Sequence, residues 1–550
     1  MREERRQVRR SQRRLALAAL VFLLLLAAGA GRMVGEGKFA VLLGTGWSDR
    51  PLQLGMVQQI KSLDPAVIQD RAGRLVGFNV YEGLVGLDPR DLSPVPALAE
   101  SWRVSDDGRV YTFKLRRGVR FHSGRQLAAQ DVKRSWERVL DPALGSGLRY
   151  LLAPIQGVRE AVEGKTAQVE GIEVVNDREL RVTLEQPNAG FLSRLAMPPF
   201  WVFDCEALPA GKPAYAAGMP AAGTGPLMLE GWRDKELTLA ANPAYWGRKP
   251  LVGRAVFTWF DSAAAALEAF QQGRIDYLDE VPATQLKSLE ADPKWGSRLV
   301  RQPLLDSYFY QINLQHPVWG SSVQLRQALN YAVDREALIE KLFNGAAAPL
   351  QSLVPAGFRG YQPPGLPYRY NPKLAGELLA AAGYPGGQGL PPLEIAYNSL
   401  AAHRVVAEAV KEQLARAGIR VELRPVAWKD YKSSLAQGRF ACFRGGWSWD
   451  YPDPDDLFFY NFHSSQTGAN NFCFLRHAEV DRLLGAARAE TGNDRRRFDY
   501  YRQAERIIIE ESPLIWLFSW QRVAMVNPAV QGLKINYLDL IALQPVGIRE

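Results

Sequence analysis

The chain has 550 residues, 47% hydrophobic and 23% charged, an ordinary balance for folded protein and enough length for about three to four domains. Its formal net charge is +9, but residues 1–14 alone hold seven arginines against two glutamates, a net of +5. The remainder is only mildly basic and has no second basic tract, which argues against a nucleic-acid binder.

The arginines form a basic n-region from Arg2 to Arg14, followed by an uncharged Leu/Ala-rich run from Leu15 to Gly31 and then Arg32. With Ala28-Gly29-Ala30 as a small-x-small cleavage site, residues 1–32 read as a signal peptide. The run is also as long as the shortest spanning helices, so it is compatible with an uncleaved membrane anchor. Basic flanks stay cytoplasmic, and either outcome carries residues 33–550 across the membrane. No cysteine follows the apolar run, so the usual bacterial lipid attachment is missing. Residues 33–53 read as a linker, and order is expected to begin near Leu54.

The elements that follow are predicted in chain order. A strand at Leu54 is followed by Leu63-Asp64-Pro65 and a short helix. Asp106-Asp107-Gly108 is a hairpin turn, because Asp-Gly supplies the positive φ that tight turns need. Its return strand, Val110 to Leu115, alternates with Tyr111, Phe113 and Leu115 on one face. Asp131 to Leu140 is a helix and Leu180 to Leu184 another alternating strand. Gly223-Thr224-Gly225-Pro226 leads into a strand at Leu227; it lacks the Lys-Ser/Thr ending of a phosphate-binding loop. Ala255 to Phe260 is a strand, Ser262 caps a helix ending near Gln272, and Ile275 to Leu278 is the next strand.

Ser307 to Leu314 is a strand with Tyr308 and Tyr310 on one face and Asn313 near its end. Ser322, Asp334 and Asn371-Pro372 each start a helix. Strand Leu393–Tyr397, helix Arg404–Ala417 and strand Ile419–Leu423 predict a right-handed βαβ unit with parallel strands. Phe440 to Phe443 is a short strand, Tyr500 to Glu511 a helix, and Pro513–Phe518 and Val523–Val526 two further strands. The fold class is α/β with mixed sheets and no long linker between its parts.

The chemistry-bearing inventory is thin. There is no G-x-S-x-G elbow, no H-E-x-x-H and no G-x-G-x-x-G after a strand, so neither an enzyme nor a cofactor is expected. The five histidines are scattered, and no metal is expected. Three cysteines, Cys205, Cys442 and Cys473, are compatible with one disulfide (Cys442–Cys473, for instance) and one free thiol. One stretch stands out, from Gly445 to Asp456, with two tryptophans, a tyrosine, two prolines and four carboxylates. An aromatic wall beside an acid suits a group that is cationic at one end and apolar at the other. The same stretch also reads as an acidic turn with two core tryptophans, or as the paired acids of a glycosidase.

Taken together in order, several segments resemble the family 5 extracellular solute-binding proteins, the peptide- and nickel-type receptors of bacterial ABC importers. They are Leu63-Asp-Pro65, Tyr81-Glu-Gly-Leu84, Ala97-Leu-Ala-Glu-Ser-Trp102, Tyr111-Thr-Phe-Lys-Leu-Arg116, Gly118-Val-Arg-Phe-His122, Asp131-Val-Lys133, Gly223-Thr-Gly-Pro226, Asn242-Pro-Ala-Tyr-Trp-Gly247, Arg326 to Arg335, and Trp447-x-x-Asp450-Tyr-Pro-Asp-Pro454. Gly157 to Phe191 looks more like the oligopeptide branch. The resemblance runs from about 54 to about 530. It implies a type II periplasmic-binding-protein-like fold: two lobes joined by crossing strands, an interlobe cleft and an extra third domain. Lobe I is expected near 54–86, 221–305 and 520–550, the extra domain near 87–220 and lobe II near 306–519.

The resemblance also implies function: peptide capture in the cleft by hinge closure and delivery to ABC permease subunits in the inner membrane. At the position of the acid that pairs with a peptide's α-ammonium group stands Asp450, and at that of a pocket-wall tryptophan stands Trp447. Tyr308, Tyr310 and Asn313 fall near the interlobe strand and are further ligand-binding candidates. Ser123, Ala129 and Leu227 depart from the family's wording, and no carboxylate-binding arginine is assigned by a motif. Other ligands for the same receptor are a metal chelate, an oligosaccharide or a tetrapyrrole.

Overall fold

The computed structural model describes residues 46–166, 168–207, 222–355 and 358–550. The expected signal peptide or anchor at 1–32, and residues 33–45 of the linker, lie outside the described residues. The last linker residues are tied down. Ser48 N–H donates to Ile548 O at 2.7 Å, and the Arg50 guanidinium forks onto Asp276 at 2.6 and 2.7 Å. Strand Leu52–Met56 thus begins two residues before Leu54.

An 11-stranded mixed sheet organises the described residues. Its order runs Val421–Val426, Leu393–Asn398, Cys442–Ser448, Leu299–Ile312, Leu514–Val526, Tyr277–Leu278, Leu52–Met56, Arg254–Trp259, Glu236–Ala241, Leu227–Arg233, with Ala347–Pro349 on the flank of Leu514–Val526. At one end Leu393–Asn398 pairs parallel with Val421–Val426, as the strand–helix–strand pattern predicted, and also with Cys442–Ser448. At the other, Leu52–Met56 pairs parallel with Arg254–Trp259 and Tyr277–Leu278. A separate antiparallel sheet of Ala99–Val104, Val110–Leu115, Glu179–Thr183 and Ile172–Asn176 lies within 87–220.

Two long strands tie these ends together. Leu514–Val526 is one strand of 13 residues, where the sequence had suggested two. Its partner Leu299–Ile312 has 14. Leu299–Pro303 pair with Gln521–Met525, and Ser307–Gln311 with Leu514–Ser519; the register shifts between Pro303 and Ser307. Leu304–Asp306 are therefore out of that ladder, and the backbone groups of Leu305 are satisfied from both sides. Its N–H donates to Tyr537 O at 2.8 Å, and its carbonyl accepts from Trp449 N–H at 3.0 Å. A three-residue break in a two-strand ribbon concentrates bending there.

Local signals explain the helices. Ser262, Ser322, Asp334 and Asn371 each accept, through the side chain, the N–H three residues on, as N-caps do. The helix after Asp64 is Arg71–Val80, capped by Asp70. One hydrophobic core gathers Leu52, Leu75, Tyr111, Trp136, Trp201 and Phe257 together with Tyr451, Phe458, Leu484 and Tyr501. Helices Pro454–Phe462, Ala478–Ala489 and Asp494–Glu511 thus pack on the same core as the four-stranded sheet. A second core holds Tyr308, Tyr310, Trp319, Leu393, Ile395 and Val410. Cys442 and Cys473 are separate buried thiols, so they do not form the disulfide their spacing allowed.

Candidate functional site

The stretch from Gly445 to Asp456 begins as the end of strand Cys442–Ser448 and ends in helix Pro454–Phe462. The two glycines serve the sheet. A Cβ on Gly446 would lie 2.6 Å from Ser307 O, and one on Gly445 2.8 Å from the Phe309 ring, so the strand beside Leu299–Ile312 excludes side chains there.

Three of the four acids are fully buried, and each is held differently. Asp453 caps the helix by accepting from Asp455 N–H at 3.0 Å, and it also accepts from Arg497 and, at 3.2 Å, from Arg359. Asp455 accepts from Tyr451 Oη at 2.8 Å and faces Arg194 at 3.5 Å and Arg488 at 3.0 Å. These guanidiniums, Arg194 and Arg488 among them, hold the Asp455 carboxyl below the usual carboxylate range despite its burial. Asp456 Oδ2 accepts from Trp447 Nε1 at 2.8 Å and from Asp450 N–H at 2.9 Å. Burial, and then the neighbouring Asp450 carboxylate, push Asp456 well above the usual range. Asp453 is therefore the N-cap of the helix, Asp455 and Asp456 stand in its first turn, and all three sit in a buried charge network. Its arginines come from residues 194, 359, 488 and 497, too far away in sequence for any motif to pair them.

Asp450 is only partly buried. Burial raises its carboxyl, while the nearby Tyr150 hydroxyl and the Arg74 and Arg194 guanidiniums pull it back. Tyr150 is 42% exposed and Arg74 belongs to helix Arg71–Val80, so this acid meets residues from three separate stretches of chain. Trp447 lies three residues before it, its ring stacked on Tyr460 at 6.3 Å and its N–H fixed by Asp456.

The structure places the remaining candidates elsewhere. Tyr308 and Tyr310 lie in the second core; the Tyr308 ring stacks on Phe518 at 4.7 Å, and its hydroxyl meets His403 Nδ1 at 3.1 Å. Asn313 is buried, donating to Gly438 O at 2.9 Å and accepting from Gln315 N–H at 2.9 Å. Of the five, Asp450 and Trp447 share the stretch before helix Pro454–Phe462, and Tyr308 and Tyr310 share the second core with their rings 6.2 Å apart.

Beside that locality, at the break in the crossing strands, a cavity of about 360 Å³ opens between Arg71, Arg74, Arg522 and Asp539 on one side and Asp306 and Trp449 on the other. A second, of about 290 Å³, shares Leu304, Leu305, Asp306, Trp449 and Tyr537 with it and extends to Pro349–Val354. Burial raises Asp306 to about 6, against the Ser448 hydroxyl that donates to it at 2.9 Å. Arg74, Tyr150 and Asp306 were not singled out from sequence. The one signal was the pair Arg71 and Arg74, three residues apart and so on one face of a helix start. Among the described residues, no group of three metal-ligating side chains occurs, and no helix is long and apolar enough to cross a membrane.

Two sheet ends with parallel strands, joined by two broken crossing strands and flanking a polar cavity, define a two-lobed binding protein. The comparison with known proteins is more specific. The chain belongs to the bacterial extracellular solute-binding proteins, family 5, whose model matches residues 93–469. It is 31% identical over 475 residues to heme-binding protein A of Haemophilus influenzae, covering 82% of this chain and 84% of that one. It is 28% identical over 533 residues to the oligopeptide-binding protein OppA of Bacillus subtilis, covering 94% and 95%. The unliganded open form of the periplasmic murein tripeptide binding protein MppA superposes with a TM-score of 0.80 at 26% identity, covering 91% of this chain and 98% of that one. Another structure of the Escherichia coli MppA gives 0.71. The two-lobed α/β architecture expected from the sequence is thus the observed fold.

Proposed function

We propose that this protein is the extracytoplasmic receptor of an ABC importer, taking up peptides between its lobes by hinge closure and delivering them to permease subunits in the membrane. The observation that carries the peptide reading is Asp450, a partly open carboxylate beside the cavity at the break in the crossing strands. Asp450 receives the peptide's α-ammonium group, and Trp447 walls the space beside it. Tyr308, Tyr310 and Asn313, the further candidates, are buried away from Asp450 and have no assigned contact with the peptide. The lobes divide near 54–86, 221–305 and 520–550 for the first and 306–519 for the second, with 87–220 as the extra domain. Residues 1–32 direct export, either cleaved or retained as an anchor.

The test is calorimetry of the full-length protein with trialanine and N-acetyl-trialanine. A charge-assisted hydrogen bond contributes about 1.5–3 kcal/mol, so acetylation should weaken binding about 10- to 100-fold. In Asp450→Asn the two peptides should bind alike. Equal binding of both peptides to the wild type rules out the assigned role of Asp450. A second reading, uptake of a tetrapyrrole, is favoured by the 31% identity to heme-binding protein A. Native mass spectrometry of solute retained from the cell separates the two.

A further inference from the structure

A third cavity, of about 560 Å³, shares no lining residue with the two cavities at the break in the crossing strands. Helix Arg71–Val80 reaches both regions. Arg71 and Arg74 in its first turn line the cavity at the break, whereas Phe78 and Asn79 in its last turn line this one. Its wall is aromatic on several sides, from Phe78, Tyr81, Trp201 and Tyr245, with the Tyr81 and Trp201 rings stacked at 6.0 Å. The amide side chains in the wall are committed to the backbone. Asn79 donates to Leu75 O and Ile541 O and accepts from Leu543 N–H, Asn536 accepts from Leu538 and Leu540 N–H, and Gln544 donates to Arg248 O. The charged residues of the wall are Glu82 and Lys534, and Lys534 is exposed to water.

Glu82 has acceptor capacity left over. A carboxylate offers about four acceptor sites. Two are filled on Oε2, by Thr224 Oγ1 at 2.9 Å and Trp246 Nε1 at 3.0 Å, and neither residue lines the cavity. Among the described residues Oε1 accepts only from Tyr245 Oη, at 2.9 Å, and Tyr245 does line it. The open acceptor site is therefore on the cavity side. Glu82 forms no ion pair among the described residues. Arg116 acts on it through space, while donating to Ala97 O at 2.6 Å and lying over the Trp246 ring at 4.5 Å. Burial raises the Glu82 carboxyl to about 7, against the hydrogen bonds from Trp246, Thr224 and Tyr245. A cation brought to Oε1 would offset that burial with a charge-assisted hydrogen bond.

We propose that this cavity is a second binding site, for a hydrophobic amine whose ammonium group donates to Glu82 Oε1 while its apolar body lies against the aromatic walls. The aromatic faces attract an ammonium group in addition to the acid. A neutral solute would leave the carboxylate unmatched, and an anion would meet it as a like charge. The volume lies within the range of sites for small organic ligands. No residue of the cavities at the strand break takes part, so the site stands whether or not the cleft captures peptides.

The experiment titrates the full-length protein with 1-pyrenemethylamine and its neutral analogue 1-pyrenemethanol, followed by pyrene fluorescence. At pH 8 the wild type should prefer the amine about 10- to 100-fold. Glu82→Gln should bind the two alike. Between pH 8 and pH 6 the amine should weaken by up to about tenfold, as Glu82 takes up its proton, while the alcohol should not change. Ala542→Trp places a large ring in the cavity wall and should block both probes. Asp450→Asn should leave amine binding unchanged, and saturating trialanine should not displace the amine. Melting curves at pH 8 show which variants are folded, and Ala542→Trp tests the site without touching Glu82. Equal affinity of the two probes for the wild type, a preference that survives Glu82→Gln, or binding that survives Ala542→Trp refutes the second site. Loss of the amine in Asp450→Asn, or its displacement by trialanine, places it in the cleft and also refutes the second site, while the peptide reading stands. If trialanine does not bind and the Glu82-dependent preference is present, the peptide reading fails and the second site stands.

Discussion

Replacing Asp455 with Asn tests whether the buried charge network holds the binding loop in place. Asp455 and Arg194 are both fully buried. Arg194 has Nε and Nη1 without hydrogen-bond partners among the described residues. Its compensation comes from Asp455 at 3.5 Å, the hydroxyls of Tyr451 and Tyr460 at 2.5 and 3.0 Å, and the Tyr451 ring at 4.1 Å. Asn keeps the shape and a hydrogen bond with Tyr451 but removes the charge. Stranding a buried charge in this way costs about 3–5 kcal/mol. Arg488, still 21% exposed, can turn to water, so Arg194 dominates the loss. Against a total stability of about 5–15 kcal/mol, the effect should be plain in urea unfolding followed by tryptophan fluorescence.

The pH dependence has a definite sign. The folded pKa of Asp455 is below the ordinary value. Its contribution is therefore complete above the ordinary carboxylate pKa and is lost as pH falls through the folded value. The gap between wild type and Asp455→Asn should be full at pH 7 and close in strong acid. A double replacement, Asp455→Leu with Arg194→Met, should recover most of the loss, because it removes both charges. A loss below about 1 kcal/mol in Asp455→Asn at pH 7 would refute the reasoning.

Further outcomes follow from the same geometry. Glu82 is buried and raised to about 7, although it accepts from Thr224, Tyr245 and Trp246 at 2.9–3.0 Å. A raised folded pKa means stability is lost as pH climbs from the ordinary carboxylate value towards 7, so Glu82→Gln should flatten that part of the melting-temperature profile. Asp306, at about 6, has the same sign, and Asp306→Asn should raise the melting temperature at pH 7 but not at pH 4. Gly446→Ala must push its Cβ off Ser307 O, now 2.6 Å away, and should cost about 1–3 kcal/mol in denaturant unfolding. An unchanged midpoint would show that the two strands separate freely.

The helix starts and the hairpin were legible because their causes are local. A capping side chain reaches only two or three residues, as Ser262 does to Ala265 N–H, and Gly108 takes its φ of +69° from its own turn. The parallel pairing of Leu393–Asn398 with Val421–Val426 followed from the strand–helix–strand order. The family was legible through many short matches in a fixed order. The single 13-residue strand was not, because what carries Leu514–Val526 through Gln521 and Arg522 is pairing with a strand some two hundred residues earlier in sequence.

The sequence by itself determined the elements, the α/β class and the concentration of acids and aromatics between Gly445 and Asp456. Only the tertiary structure decided what those acids do. Charge burial depends on what the chain brings back from afar. Arg194, Arg359, Arg488 and Arg497 neutralise Asp453 and Asp455, and a tryptophan N–H and a backbone N–H occupy Asp456. Asp450 is left partly open beside Tyr150, and among the described residues the Nε of Arg74 has no acceptor. No spacing rule distinguishes one acid among four within seven residues, because the field each feels depends on which groups the fold brings to it, from six residues away for Asp456 to 261 for Asp455.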